Sequence, residues 1–324
     1  MRKKVVCCLM ILFPLLFAGG AIRGFASESV LAQGNWYRFR LNQTGIFRIT
    51  YEQMVAAGIA VQGIDPSLIR LFGNGGAMLP EKNDEWRPTD LQEVHLQVIA
   101  ANPSLFAPGD YVLFYGTAPN RWRTVIVPAF RRFEFDNHLY SRYTYYFLTI
   151  GSEPGQRIQP LSSETGNPMR FIDSYNDYAV FKPLLHNLAK SGREWFGEKI
   201  SGGQQIELPP KVFPDLLLTT PVQFRSRFAV RASEPSQVAI SLNGTEFLSW
   251  NIPGLSPGNM ISNFARPAMI SNSKLVTDTV LNFVIRYPNN NNTSSIWPEF
   301  VEANVRRKLI YRGGKLPFRD ILSV

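Results

Sequence analysis

The chain has 324 residues, 45% of them hydrophobic and 18% charged, with a formal net charge of +9. That composition buries a core and excludes a disordered chain. The 24 Gly, 23 Pro and 13% aromatic residues favour many short strands over an all-helical bundle.

Arg2, Lys3 and Lys4 precede an apolar run over residues 5–17, and Ala18, Gly19, Gly20 and Ala21 follow it. This is the layout of a secretory signal peptide. A transmembrane anchor fits less well, because Pro14 interrupts the run, which falls short of the ~20 residues a bilayer core requires. Gly24 and Ala26 suit the small-residue positions of a cleavage site, so residues 1–26 are expected to leave, and the processed chain to have no membrane span. Cys7 and Cys8, the only cysteines, would leave with them, and so would every disulfide, thiolate nucleophile and Cys-type metal site. Losing Arg2, Lys3, Lys4 and Arg23, and no acid, takes the net charge from +9 to +5. A charge of that size is an ordinary solvated surface, and nucleic acid is not an expected partner of an exported chain.

Along the processed chain, residues 36–41 alternate Tyr37, Phe39 and Leu41 against Arg38 and Arg40, the pattern of a strand with one buried face. A turn over 42–45 and a second strand over 46–50 read as a hairpin. Thr50 and Gln53 have capping-box spacing and open a short helix that Gly58 stops. Further strands are expected over 67–72, 91–100, 111–115 and 140–149, the last closing a first unit. The Gly- and Pro-rich stretch 151–168 reads as a linker, which gives an N-terminal β-rich domain over 27–165.

In the second unit, 166–324, Phe181, Leu184, Leu185 and Leu188 have helix-like spacing within 178–190, with Pro183 at the helix start. Residues 222–250 alternate in three runs, 224–230, 237–242 and 246–250, and the last two are joined at Asn243-Gly244, the strongest short hairpin signal in the chain. Strands over 280–287, 300–305 and 308–311 complete a β-sandwich of jelly-roll type. The fold class is therefore mainly β: a strand-rich N-terminal domain with a short helix, then a β-sandwich.

Patterns that carry catalytic or ligand chemistry are scarce in the sequence. His95, His138 and His186 are the only histidines, and no two have the paired spacing of a metal-binding helix. The chain has no G-x-S-x-G elbow and no G-x-x-x-x-G-K-[ST] cradle. Glu81, Asp84, Glu85 and Asp90 lie beside Gly73-Asn74-Gly75-Gly76 but lack the order of a calcium loop, so a solvated loop is expected. Trp36, Tyr37, Trp122, Trp195 and Trp250 are expected as core or rim rather than as sugar-stacking platforms. No catalytic, cofactor-binding or metal-ligating residue is nominated, and no cofactor is expected.

Six segments carry more specific information: 68–80 (Leu-Ile-Arg-Leu-Phe-Gly-Asn-Gly-Gly-Ala-Met-Leu-Pro), 88–93 (Pro-Thr-Asp-Leu-Gln-Glu), 109–116 (Gly-Asp-Tyr-Val-Leu-Phe-Tyr-Gly), 145–149 (Tyr-Tyr-Phe-Leu-Thr), 191–198 (Ser-Gly-Arg-Glu-Trp-Phe-Gly-Glu) and 318–320 (Phe-Arg-Asp). In this order they resemble the N-terminal, pre-catalytic region of type IX secretion system sortases, which belong to the gingipain-type cysteine peptidase family of Bacteroidota. The octet 191–198 is the most specific part. The resemblance implies an exported protein at the periplasm, outer membrane or cell surface, in a family whose peptidase domain uses a His/Cys dyad to process the C-terminal signals of secreted cargo. No residue here matches that dyad, and a thiolate attack needs a thiol beside a base. The chain is therefore expected to be a non-catalytic portion, truncated or split from its peptidase domain. Its implied partners are other type IX secretion components or a separate peptidase domain, for docking or as a pro-region. The alternative is a stand-alone secreted β-sandwich module that binds a glycan or a protein.

Overall fold

The computed structural model describes residues 29–323, apart from 164, 169, 191, 256–263, 292 and 315. The expected signal peptide, with Cys7 and Cys8, lies outside the described residues.

The first half contains β1 (Tyr37–Leu41), β2 (Gly45–Thr50), the helix α1 (Tyr51–Ala56), β3 (Ile69–Phe72), β4 (Glu93–Val94), β5 (Gln97–Ile99), β6 (Tyr111–Gly116), β7 (Arg121–Val127), β8 (Phe130–Asp136) and β9 (Thr144–Ile150). One sheet has the order β1-β9-β3-β4 and a second the order β2-β6-β5. Leu71, Tyr146 and Leu148 from the first and Ile49, Val112 and Phe114 from the second share one buried core. β1 and β2 are consecutive but do not form the expected hairpin: β1 pairs with β9 and β2 with β6. The physical gain is in burial. By crossing between facing sheets, the two strands pack Phe39, Leu41 and Phe47 against the same core, whereas a flat hairpin would commit all of them to one layer.

α1 starts as its sequence predicts. The Thr50 hydroxyl accepts from the Gln53 N–H at 3.2 Å, and the Gln53 side chain accepts from the Thr50 N–H at 3.0 Å, closing a capping box. The expected strand over 91–100 is broken. β4 joins one sheet and β5 the other, with Leu96 buried between them. The expected linker is likewise anchored in its first half: Ile158 donates to the Leu96 carbonyl, and Gly151 and Gly155 donate to Leu68 and Ser67. The Gly/Pro composition that suggests a linker here serves close packing instead.

The second half contains β10 (Ser174–Phe181), β11 (Ile200–Ser201), β12 (Gln205–Glu207), β13 (Lys211–Val212), β14 (Val222–Arg231), β15 (Ser236–Leu242), β16 (Thr245–Ile252), β17 (Arg266–Lys274), β18 (Val280–Leu281), β19 (Phe283–Arg286) and β20 (Ser295–Lys308). A sheet ordered β10-β20-β14-β17, with β11 also on β20, faces a sheet ordered β12-β19-β15-β16. Phe224, Phe228, Val238, Ile240, Ile285 and Val301 lie in the core between them, which makes this half a β-sandwich. Asn243 and Gly244 form the β15–β16 turn with φ of 49° and 79°, the left-handed pair that a two-residue hairpin demands.

The helix expected within 178–190 does not form. Ser174–Phe181 is a strand paired with β20 over its whole length, and the chain beyond it is irregular, with His186 bridged to Phe196 and a turn over residues 188–190. Leucine spacing is a weak prior, and it loses to an eight-residue ladder on a central strand.

Candidate functional site

The first half is joined to the second by the β7–β8 hairpin. Its alternation is short and irregular in the sequence: Trp122 alternates with arginines before Pro128-Ala129, and Phe133 and Phe135 alternate with charge after it. β7 and β8 pair only with each other, and β8 lies against the outward face of β20. The side chains of β20 complete its edge. Asn304 accepts from the Phe133 N–H at 2.7 Å and donates to the Phe133 carbonyl at 2.9 Å, while Glu302 accepts from the Phe135 N–H at 3.1 Å. Buried N–H and C=O groups that would otherwise lose water without a partner are thereby satisfied.

Charge completes the seam. Glu134, buried, is contacted by Arg123, by Arg132 at 2.6 Å and by Arg225 at 2.9 Å. Arg225 also holds buried Glu302 with two bonds of 2.8 and 2.9 Å, the fork geometry that makes arginine–carboxylate pairs strong. Burial pushes the Glu134 carboxyl upward, but the Arg132 hydrogen bond and the charges of Arg225, Arg132 and Arg123 outweigh it and hold the group below its ordinary value. A second cluster places Arg227 between Glu299 and Glu194, with Lys182 on Glu299 at 2.9 Å.

Residues 193–197 of the octet belong to this seam, which gives its sequence specificity a physical basis. Arg193 pairs with Glu81 of the first half, and Glu194 pairs with Arg227 at 2.6 Å. The Trp195 indole N–H donates to the Gly192 carbonyl at 3.1 Å. Phe196 is buried, and the Gly197 N–H donates to the Pro298 carbonyl at 2.7 Å. A Cβ on Gly197 would sit 2.5 Å from the Pro183 ring, so only glycine fits this position.

Above the seam lies a groove of about 1100 Å³. Its walls are Ile46 and Tyr115 from the β2–β6 pair, the Gly75-Gly76 loop, Trp122 of the hairpin, and Leu316, Phe318 and Arg319 near the end of the described chain. Tyr178 also lines it, stacked on Trp122 at a centroid distance of 3.9 Å and carrying the Arg319 guanidinium at 4.3 Å. Asp320 fastens this last segment: its fully buried carboxylate takes Arg306 at 2.5 Å and the Ser323 hydroxyl at 2.7 Å. The glycine loop is no phosphate cradle. Its Gly76 N–H is spent on the Thr117 hydroxyl at 2.6 Å, and a Cβ there would lie 1.7 Å from the Ala118 carbonyl oxygen.

The other residues weighed from sequence do not converge. Asp90 accepts from the backbone of Val30 and Leu91, Glu81 pairs with Arg193, and Glu85 lies 4.0 Å from Lys82. Among the described residues no group of three or more His, Cys, Asp or Glu is placed to hold a metal ion. His95 is exposed, His186 lies 3.4 Å from Glu198, and His138 accepts two backbone N–H bonds from Tyr140 and Ser141. Trp36 packs edge-on to Phe72. Trp250 sits at the rim of a separate pocket of about 360 Å³ with Arg266.

No protein-family model matches the sequence, and no curated protein does. Among solved structures the chain has the fold of part of a much larger protein. That structure, dimeric latent PorU from Porphyromonas gingivalis, matches with a TM-score of 0.70 and 22% identity over 91% of this chain and 26% of PorU, so the chain spans about a quarter of PorU's length. A CBM36 carbohydrate-binding module in complex with calcium and xylotriose matches with a TM-score of 0.27 and 10% identity, over 41% of this chain and 99% of the module. No described helix is long and apolar enough to cross a membrane.

Proposed function

We propose that this chain is a non-catalytic, PorU-like N-terminal portion of a type IX secretion sortase. On this reading it is exported to the periplasmic or outer-membrane side of the cell, where it provides a docking platform for a gingipain-type cysteine peptidase domain. The observation that carries the reading is the PorU match across 91% of the chain. The seam supports it from a second direction. Segments 68–80, 109–116 and 318–320, which carry the sequence resemblance, all contribute to the groove walls, and octet 191–198 locks the two halves beneath it.

The chemistry of the groove suits docking better than turnover. Ile46 and Tyr115 are 66% and 58% exposed at its mouth, and Phe318 is 49% exposed. An exposed apolar rim around an arginine–aromatic stack is the composition of a protein-binding hot spot. The seam below is held by paired charges and by backbone groups satisfied by side chains, so the platform meets a partner with little ordering cost.

The test is to mix the purified protein with a gingipain-type peptidase domain from the same organism and follow complex formation by size-exclusion chromatography. A complex that is lost in Tyr115→Glu and Phe318→Glu, with no cleavage of cargo C-terminal signals by the chain alone, is the expected result. Cleavage by the chain alone, or indifference of the peptidase domain to it, overturns the reading.

A further inference from the structure

β1 is the terminal strand of its sheet and pairs with β9 on one side only. Among the described residues, no backbone hydrogen bond outside that ladder reaches Tyr37–Leu41. In an antiparallel strand every second residue turns its N–H and C=O away from its neighbour, so this edge offers a row of open donors and acceptors.

The two faces of β1 differ in a way that specifies what could pair there. On the outward face, Arg38 lies over the Tyr145 ring at 4.9 Å and Arg40 over the Tyr143 ring at 4.7 Å. Neither guanidinium has a carboxylate partner among the described residues, in contrast to the arginines of the seam. Each rests over its tyrosine ring, with its N–H donors left for another group. Being two residues apart, the arginines stand about 7 Å from each other along the strand. On the inward face, Tyr37, Phe39 and Leu41 are only partly buried, because no strand covers them from the open side.

We propose that the free edge of β1 is a docking site for an extended peptide segment in which acidic and apolar residues alternate. Such a segment would add as a further strand of the β1-β9-β3-β4 sheet. Its acidic side chains, at the same spacing of about 7 Å, would face Arg38 and Arg40, and its apolar side chains would cover Phe39 and Leu41. The backbone supplies the ladder and the alternating side chains the register, as in other strand-addition sites. An anionic glycan or lipid surface could satisfy the arginines but not the ladder, which is why the edge points to peptide. The site uses none of the residues that wall the groove, and it stands whether or not the platform reading holds.

The probe is a fluorescein-labelled peptide of alternating Glu and Val, titrated with the purified protein and followed by anisotropy. Saturable binding is expected, weakening at least tenfold for the same peptide with alternate backbone amides N-methylated and at least tenfold for the Arg38→Ser/Arg40→Ser double variant. A Lys–Val peptide should not bind. Equal affinity for the N-methylated peptide would mean charge attraction alone and would overturn strand addition, and so would equal affinity of the double variant. Arg-dependent binding of heparin or of phosphatidylglycerol vesicles, with none of the peptide, would overturn the choice of ligand. If the wild-type protein ignores the peptide and the double variant self-associates, the arginines merely guard the edge against aggregation, and the proposal fails.

Discussion

Asn304 and Phe133 are 171 residues apart in sequence and form what amounts to one rung of a β-ladder, with the side-chain amide of the first bonded to both the N–H and the C=O of the second. The partners fix the orientation of the amide, since an N–H needs the oxygen and a carbonyl needs the NH₂. Asn304→Ala leaves both Phe133 groups buried and unpaired. The expected cost is about 2 to 3 kcal/mol, the typical penalty for orphaned buried polar groups. Thermal unfolding measures it, and hydrogen exchange should show the loss concentrated in the β7–β8 hairpin. Unchanged protection of residues 121–136 would show that the hairpin is held by other contacts.

Glu134 should make the seam acid-labile. Its carboxyl is held below the ordinary carboxylate range: burial acts against this, but Arg132, Arg225 and Arg123 outweigh burial. The unfolded chain therefore binds the proton more readily than the folded one. The stabilisation is complete above the unfolded value and is lost as pH falls through the folded one, which places the loss below about pH 4. Glu134→Gln should cost about 3 kcal/mol at pH 7, because it leaves Arg225 partly uncompensated. It should also flatten the difference in denaturant midpoint between pH 7 and pH 3. An unaltered pH dependence in this variant would assign acid sensitivity to Glu93 or Asp320, whose carboxyls are also held low.

What the sequence reveals and what it conceals follow the range of the interactions. The Thr50–Gln53 box and the Asn243-Gly244 turn are set by neighbours within a few residues, and both appear in the structure as read. The mainly β character follows from composition and alternation. The path of Ser174–Phe181 does not, because its partner strand β20 lies more than a hundred residues away. The groove and seam are concealed for the same reason: Glu134 meets Arg225, and Glu81 meets Arg193, across separations that carry no periodic signal. The octet 191–198 is visible as a motif, but its reason, three separate anchorages at Glu81, Arg227 and Pro298, emerges only in three dimensions.

Gly76 gives a test of the loop that walls the groove. A methyl group there would meet the Ala118 backbone carbonyl at 1.7 Å, and no side-chain rotation can relieve a clash with backbone. Gly76→Ala should therefore displace the loop and release the Thr117 hydroxyl from the Gly76 N–H, with a loss of about 3 kcal/mol at the upper end of overpacking penalties. Limited proteolysis should cut the variant near residues 74–78 at protease levels that leave the wild type intact. Equal resistance would show that the loop has room to move without loss.

His138 closes the turn that leads into β9. Its Nδ1 accepts from the Ser141 N–H at 2.9 Å and the Tyr140 N–H at 3.2 Å, a role that requires the nitrogen to be unprotonated. Burial pulls its pKa below the ordinary imidazole value, in agreement with that geometry. The unfolded chain again takes the proton first, so the turn's contribution is intact above the unfolded value near 6.5 and is lost as pH falls below it. A proton at Nδ1 would face two donors instead of offering an acceptor. Imidazole NMR shifts should show His138 titrating below the ordinary imidazole value near 6.5, with the Nε2–H tautomer at pH 7. His138→Ala should raise hydrogen exchange at Tyr140 and Ser141 and leave that of α1 unchanged. Titration of His138 at or above the ordinary imidazole value would contradict both the burial and the double acceptance.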